Sequence, residues 1–184
     1  MIDKLLTESV TVYSTNIAVR HGESTRDAEK RTVGELVRHI FGREAEISHN
    51  PDGAPFVAGI EARISVSHGA GKAVLALSED KAVGVDIESE RPQLERVRGK
   101  FVSNGDSHML PLVKLWTAKE AAFKAAGIPG LVISQIKVTT APGENDRAVA
   151  ELPDGRRLVV TFCELGSGIW VAVATGSAEK EHHE

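Results

Sequence analysis

The sequence is poor in cysteine, with Cys163 as the single one among 184 residues. One cysteine cannot form a disulfide within the chain, and such scarcity is typical of proteins in reducing compartments. Cys163 lies in the apolar run LVVTFCEL, a context typical of a small buried side chain. We therefore expect a cytoplasmic protein without disulfides.

Long apolar runs and an excess of positive charge are also missing. No apolar run reaches the ~18 residues that suggest a membrane span, and charges interrupt the N-terminal segment MIDKLLTESV. We expect neither a membrane helix nor a cleaved leader. The formal net charge of −4 argues against a general nucleic-acid-binding role, because such domains usually carry a basic surface.

The residues that are present have the composition of a folded domain with strand and helix patterns. Hydrophobic residues make up 41% of the chain and charged residues 26%, so a core can form. Their order is strand, helix, strands, then strand, helices, strands, which predicts an α+β fold of two similar halves. Strands are predicted at 10–19, 62–68, 72–78, 82–90, 131–140, 147–153, 156–165 and 168–176, and helices at 23–42, 92–101 and 108–127.

The segment AVGVDIESE, residues 82–90, combines a strand pattern with two acidic residues. Side chains alternate across a strand, so Asp86 and Glu88 share one face with Gly84, which leaves open room next to them. Val83, Val85 and Ile87 share the other face. Neighbouring carboxylates repel each other and raise each other's pKa unless a cation lies nearby. Taken alone, the segment fits a solvated strand face better than a site.

The segment LWTAKEAAFKAAG predicts a helix with charged residues among mainly apolar ones. On a helical wheel Lys119 lies in the middle of the apolar face, which is costly unless its ammonium finds a partner or reaches solvent. Glu120 lies at the edge of that face, and Lys124 follows one turn later. A surface ion pair explains Glu120 and Lys124, but it does not explain Lys119.

Carboxylates from the strand and the helix together indicate a magnesium site. Mg²⁺ prefers hard oxygen ligands and commonly joins one or two carboxylates to substrate phosphates. Asp86 and Glu88 can converge on one ion, and Glu120 could complete the set from the helix. Lys119 and Lys124 would then provide positive charge around a polyphosphate. Mn²⁺ accepts the same ligands, so the residues do not distinguish the two ions.

Two segments, VGVDIE and then LWTAKEAAFKAAG, resemble the two-part motif of the 4′-phosphopantetheinyl transferases. That motif pairs a G-[IV]-D-x-E strand with a helix carrying W-[ST]-x-K-E-[AS]-x-x-K. The matching residues are Gly84, Asp86, Glu88, Trp116, Thr117, Lys119, Glu120 and Lys124. SVSHGAG, DGAPFV and the helix around Arg31 resemble further elements of the family, so the resemblance covers about residues 25–175.

The chain length and the central position of VGVDIE resemble the larger, Sfp-type form of this family, which fuses two similar halves. The resemblance implies a pseudo-twofold arrangement of two α+β halves, with mainly antiparallel strands packed on helices and the active site between the halves. The halves would span 1–82 and 83–176, followed by a flexible tail at 177–184. A fused form needs no second chain to complete its site, so we expect a monomer.

The resemblance also implies an activity. Family members transfer the 4′-phosphopantetheine arm of coenzyme A to a serine of an apo acyl or peptidyl carrier protein, in fatty-acid, polyketide or nonribosomal peptide synthesis, and release 3′,5′-ADP. Asp86, Glu88 and Glu120 would hold Mg²⁺, and Asp86, Glu120 and Lys124 would be the catalytic residues. Glu120, or a water beside it, would accept the serine proton, and Lys124 would stabilise the leaving ADP.

The resemblance implies further contacts to coenzyme A as co-substrate. Lys119 and Lys124 would meet its phosphates, and His68 would meet the 3′-phosphate with Ser67 and Arg31. The backbone near Gly53 and Pro55 would hold the adenine.

A basic segment with Arg91, Arg96, Arg98 and Lys100 follows the acidic strand. Carrier proteins are acidic, and opposite charges accelerate and orient docking. We predict that this segment docks the carrier, although a solvated helix face explains the same charges equally well.

Two other functions compete with transfer. A catalytically silent relative that binds coenzyme A or a carrier protein would keep the fold, but the complete set of acidic and lysine residues argues against it. A different Mg²⁺-dependent phosphate-ester hydrolase would use similar carboxylates and lysines, but the sequence resembles no hydrolase motif.

Overall fold

The computed structural model describes residues 2–6 and 10–176, which form an α+β fold of antiparallel sheets packed on helices, as the sequence predicts. The described α-helices are α1 (Thr25–Phe41), α2 (Pro92–Val97) and α3 (Leu112–Ala126). The described strands are β1 (Ile2–Leu6), β2 (Thr11–Asn16), β3 (Ile47–His49), β4 (Pro55–Val57), β5 (Arg63–Gly69), β6 (Lys72–Ser78), β7 (Ala82–Ser89), β8 (Lys137–Thr139), β9 (Arg147–Glu151), β10 (Arg157–Glu164) and β11 (Ile169–Gly176).

The two larger sheets repeat one connectivity. The first has the strand order β1-β2-β6-β5 and the second the order β7-β11-β10-β9-β8, and β3 pairs with β4 in a separate hairpin. All of these strand pairs are antiparallel. In each half a helix follows the first strand of the motif (β2 or β7), and the last strand returns to pair with that first strand. This repetition agrees with the predicted two similar halves.

Among the described residues, three apolar cores separate four layers, in the order α1, first sheet, second sheet and α3. The core between α1 and the first sheet includes Leu36, Val37, Ile64 and Leu75. The core between the two sheets includes Val12, Val74, Val85 and Val173. The core between the second sheet and α3 includes Ala118, Ala122, Val160 and Ala172. Burial of these side chains is the main favourable contribution to folding.

The helix ends lie close to where the sequence predicts them. Ser24 caps α1 by accepting a hydrogen bond from the Asp27 amide at 3.1 Å, and Gly42 follows its last residue. Gly127 ends α3 with a φ of 58°, a left-handed conformation that glycine adopts without strain. The predicted start of α3 at 108 is too early, because Pro111 disfavours helical geometry in the residue before it.

The predicted strand at 131–140 is largely wrong. Residues Ile133–Gln135 form a 3₁₀ turn, and the strand is limited to β8. The Gln135 side chain accepts a hydrogen bond from the Val132 amide at 3.0 Å, which stabilises the turn locally. A short apolar run does not by itself distinguish a strand from such a turn.

Three other predictions concern the C-terminal tail, membrane-spanning helices and the boundary between the two halves. The predicted flexible tail at 177–184 lies outside the described residues. None of the described helices combines the length and the apolar character needed to cross a membrane. The boundary after residue 82 stays a prediction, and β7 itself begins at Ala82.

Candidate functional site

Strand β7 presents its two acidic residues toward α3. Its aliphatic face, with Val85 at the centre, packs in the core between the two sheets. Asp86 and Glu88 lie on the opposite face and are only 8% and 9% exposed. The predicted alternation is therefore confirmed, whereas the interpretation as a solvated strand face is wrong. Burying two carboxylates is costly unless they are paired, so their partners matter.

Gly84 allows α3 to pack directly on β7. A Cβ atom at Gly84 would lie 2.0 Å from the carbonyl oxygen of Ala121 and 2.7 Å from the amide nitrogen of Ala125. The sequence led us to expect open space at Gly84 beside the acids, but the backbone of α3 fills it. The close approach instead brings the helix residues Glu120 and Lys124 to the acidic strand.

Asp86 contacts one residue from each half of the chain. Its Oδ1 accepts a hydrogen bond from the Ser67 hydroxyl at 2.8 Å and one from the Lys124 ammonium at 2.9 Å. Lys124 also donates to the carbonyl oxygen of Val85 at 2.9 Å. The ammonium of Lys124 therefore lies on the acidic strand and does not form the simple surface pair with Glu120.

Glu88 pairs with the first residue of the basic segment. Its carboxylate contacts the Arg91 guanidinium, and it also accepts a hydrogen bond from the Ser89 amide at 3.0 Å. Arg91 is about half exposed, so this pair connects the acidic strand to the protein surface.

Glu120 lies on α3 among the other acidic residues. Burial raises the pKa of its carboxyl group, the negative charges of Asp86 and Glu88 raise it further, and Lys124 partly opposes them. Within the described part of the chain, its carboxylate has no hydrogen bond or ion pair. Glu120 is therefore a half-buried carboxylate that protein partners have not neutralised, which suits a proton acceptor or a cation ligand.

Lys119 is fully buried, and its ammonium contacts protein groups. It lies 2.7 Å from Asp106 and donates to the carbonyl oxygen of Phe101 at 2.7 Å. Burial lowers the pKa of Lys119, while the hydrogen bond that its ammonium donates to Asp106 raises it. The expectation that Lys119 needs a partner is thus met by Asp106, and this contact differs from the phosphate contact that the resemblance implies.

The residues expected around the 3′-phosphate of coenzyme A have separate partners. His68 is half exposed, and its Nδ1 lies 3.4 Å from Glu29 on α1. The Arg31 guanidinium binds Glu23 through two hydrogen bonds of 2.8 and 3.0 Å and also donates to the carbonyl oxygen of Ala18. The described contacts do not bring Arg31, His68 and Ser67 together.

The predicted adenine contact lies in the turn of the β3–β4 hairpin. Gly53 has a φ of 88°, and its amide donates to the carbonyl oxygen of Asn50 at 2.8 Å. Pro55 begins β4 directly after this turn. The Gly53 amide is thus already hydrogen-bonded within the hairpin turn.

The basic segment forms α2 and the 3₁₀ turn that follows it. The side chains of Arg96, Arg98 and Lys100 are exposed, and Arg98 pairs with Glu95 at 3.3 Å. A cavity of about 350 Å³ lies beside α2, and Arg91, Leu94 and Leu112 contribute to its lining. The segment therefore presents positive charge next to a small depression that both charged and apolar residues line.

The donor set of the three acids fits a hard divalent cation. Asp86, Glu88 and Glu120 are carboxylates at one strand–helix contact, and each of the first two raises the pKa of the third. Within the described residues, no group of three His, Cys, Asp or Glu side chains is already arranged as a metal cage. Lys124 and Arg91 contact two of the acids. A magnesium ion bound here would therefore compete with Arg91 for Glu88 and would share the Asp86 carboxylate with Lys124.

Sequence reasoning missed the groups that hold the site in place. Ser67 was expected at coenzyme A, but it contacts Asp86, and Asp106 was not expected to pair with Lys119. The alternating serines of SVSH were the available signal for the first contact, since Ser65 and Ser67 must share one face of β5.

No family model matches the chain, and no curated protein sequence matches it significantly.

Proposed function

We propose that this chain transfers the 4′-phosphopantetheine moiety of coenzyme A to a serine of an apo acyl or peptidyl carrier protein and releases 3′,5′-ADP. The observation that carries the proposal is the meeting of Asp86, Glu88, Glu120 and Lys124 where α3 packs on β7. These residues come from the two segments whose pattern resembles the family motif. Their proximity supports a common site for both segments.

Glu120 is the candidate general base. A carboxylate with a raised pKa is a stronger base than an ordinary one, and Glu120 has no ion-pair partner in the described residues that would hold its proton-accepting oxygens. It would accept the proton of the carrier serine directly or through one water. The neighbouring carboxylates favour this uptake because they stabilise the protonated form.

Asp86, Glu88 and Glu120 are the candidate ligands of Mg²⁺, and Mn²⁺ would fit as well. When bound, the metal would offset negative charge on the pyrophosphate of coenzyme A. Lys124 carries a positive charge beside Asp86 and would stabilise the leaving 3′,5′-ADP, because its ammonium can donate to a phosphate oxygen.

Recognition of the two substrates involves different surfaces. His68 is half exposed at the end of β5 and is the candidate contact for the 3′-phosphate of coenzyme A. Arg96, Arg98 and Lys100 are the candidate contacts for the acidic carrier. Lys119 would act in folding rather than in phosphate binding, since its ammonium is buried on Asp106.

A mass assay tests the proposal. The protein is incubated with coenzyme A, Mg²⁺ and apo carriers from fatty-acid, polyketide and peptide synthesis, and each carrier is weighed by mass spectrometry. We expect a gain of one phosphopantetheine arm that disappears when EDTA replaces Mg²⁺. Glu120→Gln and Asp86→Ala should abolish the gain, whereas Glu61→Gln, an exposed carboxylate elsewhere, should not.

Two outcomes would replace the proposal with its alternatives. Coenzyme A binding without any carrier gain would indicate a silent binding relative. Metal-dependent cleavage of coenzyme A without a carrier would indicate a phosphate-ester hydrolase.

A further inference from the structure

Strand β5 lies along the outer edge of β7 and contacts it at alternate residues. The Ser65 hydroxyl accepts a hydrogen bond from the Val85 amide at 3.0 Å, and the Ser67 hydroxyl donates to Asp86 at 2.8 Å. A Cβ atom at Gly69 would lie 2.6 Å from the carbonyl oxygen of Ile87. We call this contact the β5–β7 seam. It joins an edge of the first sheet to an edge of the second.

The two serines of the seam contact different kinds of group. Ser65 is 3% exposed and satisfies a backbone amide that has no ladder partner, because β7 is an edge strand. Ser67 is 8% exposed and contacts a carboxylate side chain. Both are buried serines on one face of one strand. They differ mainly in whether the contacted group could take part in chemistry.

We propose that Ser67 is a positioning residue that holds Asp86 in the orientation needed to bind the divalent cation. The inference rests on the proposed function and deepens it, since it concerns the same site. It also assigns Ser67 a role other than the 3′-phosphate contact that the sequence resemblance implies.

The geometry supports this role through the two oxygens of Asp86. Both the Ser67 hydroxyl and the Lys124 ammonium contact Oδ1. Within the described part of the chain, Oδ2 makes no hydrogen bond or ion pair. Two contacts on one oxygen fix the carboxylate plane and leave the other oxygen for a ligand. Removing a group that orients a metal-binding carboxylate typically lowers metal affinity or activity by about 10–100-fold.

Ser67 is badly placed to bind coenzyme A as well. Its hydroxyl proton is directed to Asp86, so binding a phosphate would require breaking that hydrogen bond beside a carboxylate. The neighbouring His68 points from the opposite side of β5, because adjacent side chains alternate across a strand. His68 is half exposed and contacts Glu29, in agreement with this opposite direction.

The first experiment measures metal binding in the absence of coenzyme A and carrier. Mn²⁺ is titrated into the wild type, Ser67→Ala, Ser67→Thr and Ser65→Ala, and free Mn²⁺ is followed by electron paramagnetic resonance. We expect Ser67→Ala to weaken Mn²⁺ binding by about 10–100-fold. Ser67→Thr keeps the hydroxyl and should restore most of the affinity. Ser65→Ala should bind Mn²⁺ like the wild type, although it loses a buried hydrogen bond.

The second experiment separates positioning from phosphate contact by comparing coenzyme A with 3′-dephospho-coenzyme A. If Ser67 acts through Asp86, Ser67→Ala should lower kcat/KM by the same factor with both substrates. A loss seen with coenzyme A alone would place Ser67 at the 3′-phosphate and overturn the inference. Thermal unfolding of each variant shows whether a loss of activity follows a loss of folded protein.

The inference and the proposed function fail in different ways. Equal Mn²⁺ affinity in Ser67→Ala and the wild type, or equal losses in Ser67→Ala and Ser65→Ala, would overturn the inference. No Mn²⁺ binding by the wild type would overturn it as well. If Ser67→Ala alone loses Mn²⁺ affinity but the wild type modifies no carrier, the positioning role stands and the transferase activity is rejected.

Discussion

Lys119 and Lys124 lie on the same helix but meet different groups. Lys119 is fully buried on Asp106 and the Phe101 carbonyl, while Lys124 is partly exposed on Asp86. Removing one partner of a buried pair leaves an uncompensated charge, which is why such pairs are sensitive to mutation. A single motif thus contains one lysine that is buried in an internal ion pair and one that contacts a candidate metal ligand.

Unlike the two lysines, whose charges are paired with carboxylates, Glu120 lies in surroundings that disfavour its negative charge. Its pKa is raised above the ordinary value of 4.5 by burial and by Asp86 and Glu88. A raised carboxyl pKa stabilises the folded state only while the group is protonated, and this contribution is lost as pH rises through the folded-state pKa. A charged Glu120 therefore destabilises the folded protein near neutral pH.

We predict that Glu120→Gln stabilises the protein near neutral pH while it abolishes transfer. In EDTA, the gain in the free energy of unfolding should be near zero below pH 4.5, should grow as pH rises, and should level off above the folded-state pKa. Urea unfolding of the wild type and the variant at a series of pH values from acidic to neutral measures this difference in the free energy of unfolding. Glu61→Gln, an exposed control, should show little change at any pH. A gain that does not vary with pH would contradict the assignment of the raised pKa to Glu120.

At the scale of elements, the contact between β7 and α3 determines where the acids lie. The contact depends on a glycine, because a side chain at Gly84 would collide with the backbone of α3. Backbone cannot move aside like the end of a flexible side chain, so the helix as a whole would have to shift. Such a shift would move Glu120 and Lys124 away from Asp86.

Gly84→Ala should therefore reduce both stability and activity. Overpacking of this kind typically costs about 1–3 kcal/mol in the free energy of unfolding. Gly34→Ala in α1 is the matched control, because a Cβ atom at Gly34 would meet only the end of the flexible Arg38 side chain, at 3.4 Å. It should be neutral or slightly stabilising in urea unfolding and neutral in the mass assay. Wild-type stability in Gly84→Ala would show that β7 and α3 are not packed as closely as described.

Elements with local signals were predictable from the sequence, and contacts between distant residues were not. The alternation in AVGVDIESE placed Asp86 and Glu88 on one face, and the wheel position of Lys119 indicated that it needs a partner. The identity of that partner did not follow, because Asp106 lies in a loop whose path is set by the packing of β8 and α3. The contact of Ser67 with Asp86 was not predicted for the same reason, because it depends on how two sheets meet.

At the scale of the whole molecule, the acidic site lies where the two halves meet. Asp86 belongs to the second sheet, but one of its contacts comes from Ser67 in the first. The basic segment begins directly after the acidic strand, and Arg91 connects the two through Glu88. A carrier bound at this segment would bring its serine to the end of β7 without crossing the molecule. This arrangement would suit the proposed docking of a carrier at the basic segment.

We predict that reversing Arg96 and Arg98 to Glu lowers kcat/KM for the carrier by about tenfold or more, because complementary charge accelerates encounter. Both side chains are exposed, so the fold should tolerate the change. The KM for coenzyme A should stay unchanged, since the substitutions leave His68 and the three candidate metal ligands in place. The effect should shrink at high salt, where exposed charges are screened. Arg43→Glu with Arg157→Glu makes the same change in net charge at exposed positions elsewhere. If this control lowers carrier use as much, overall charge rather than the basic segment determines docking.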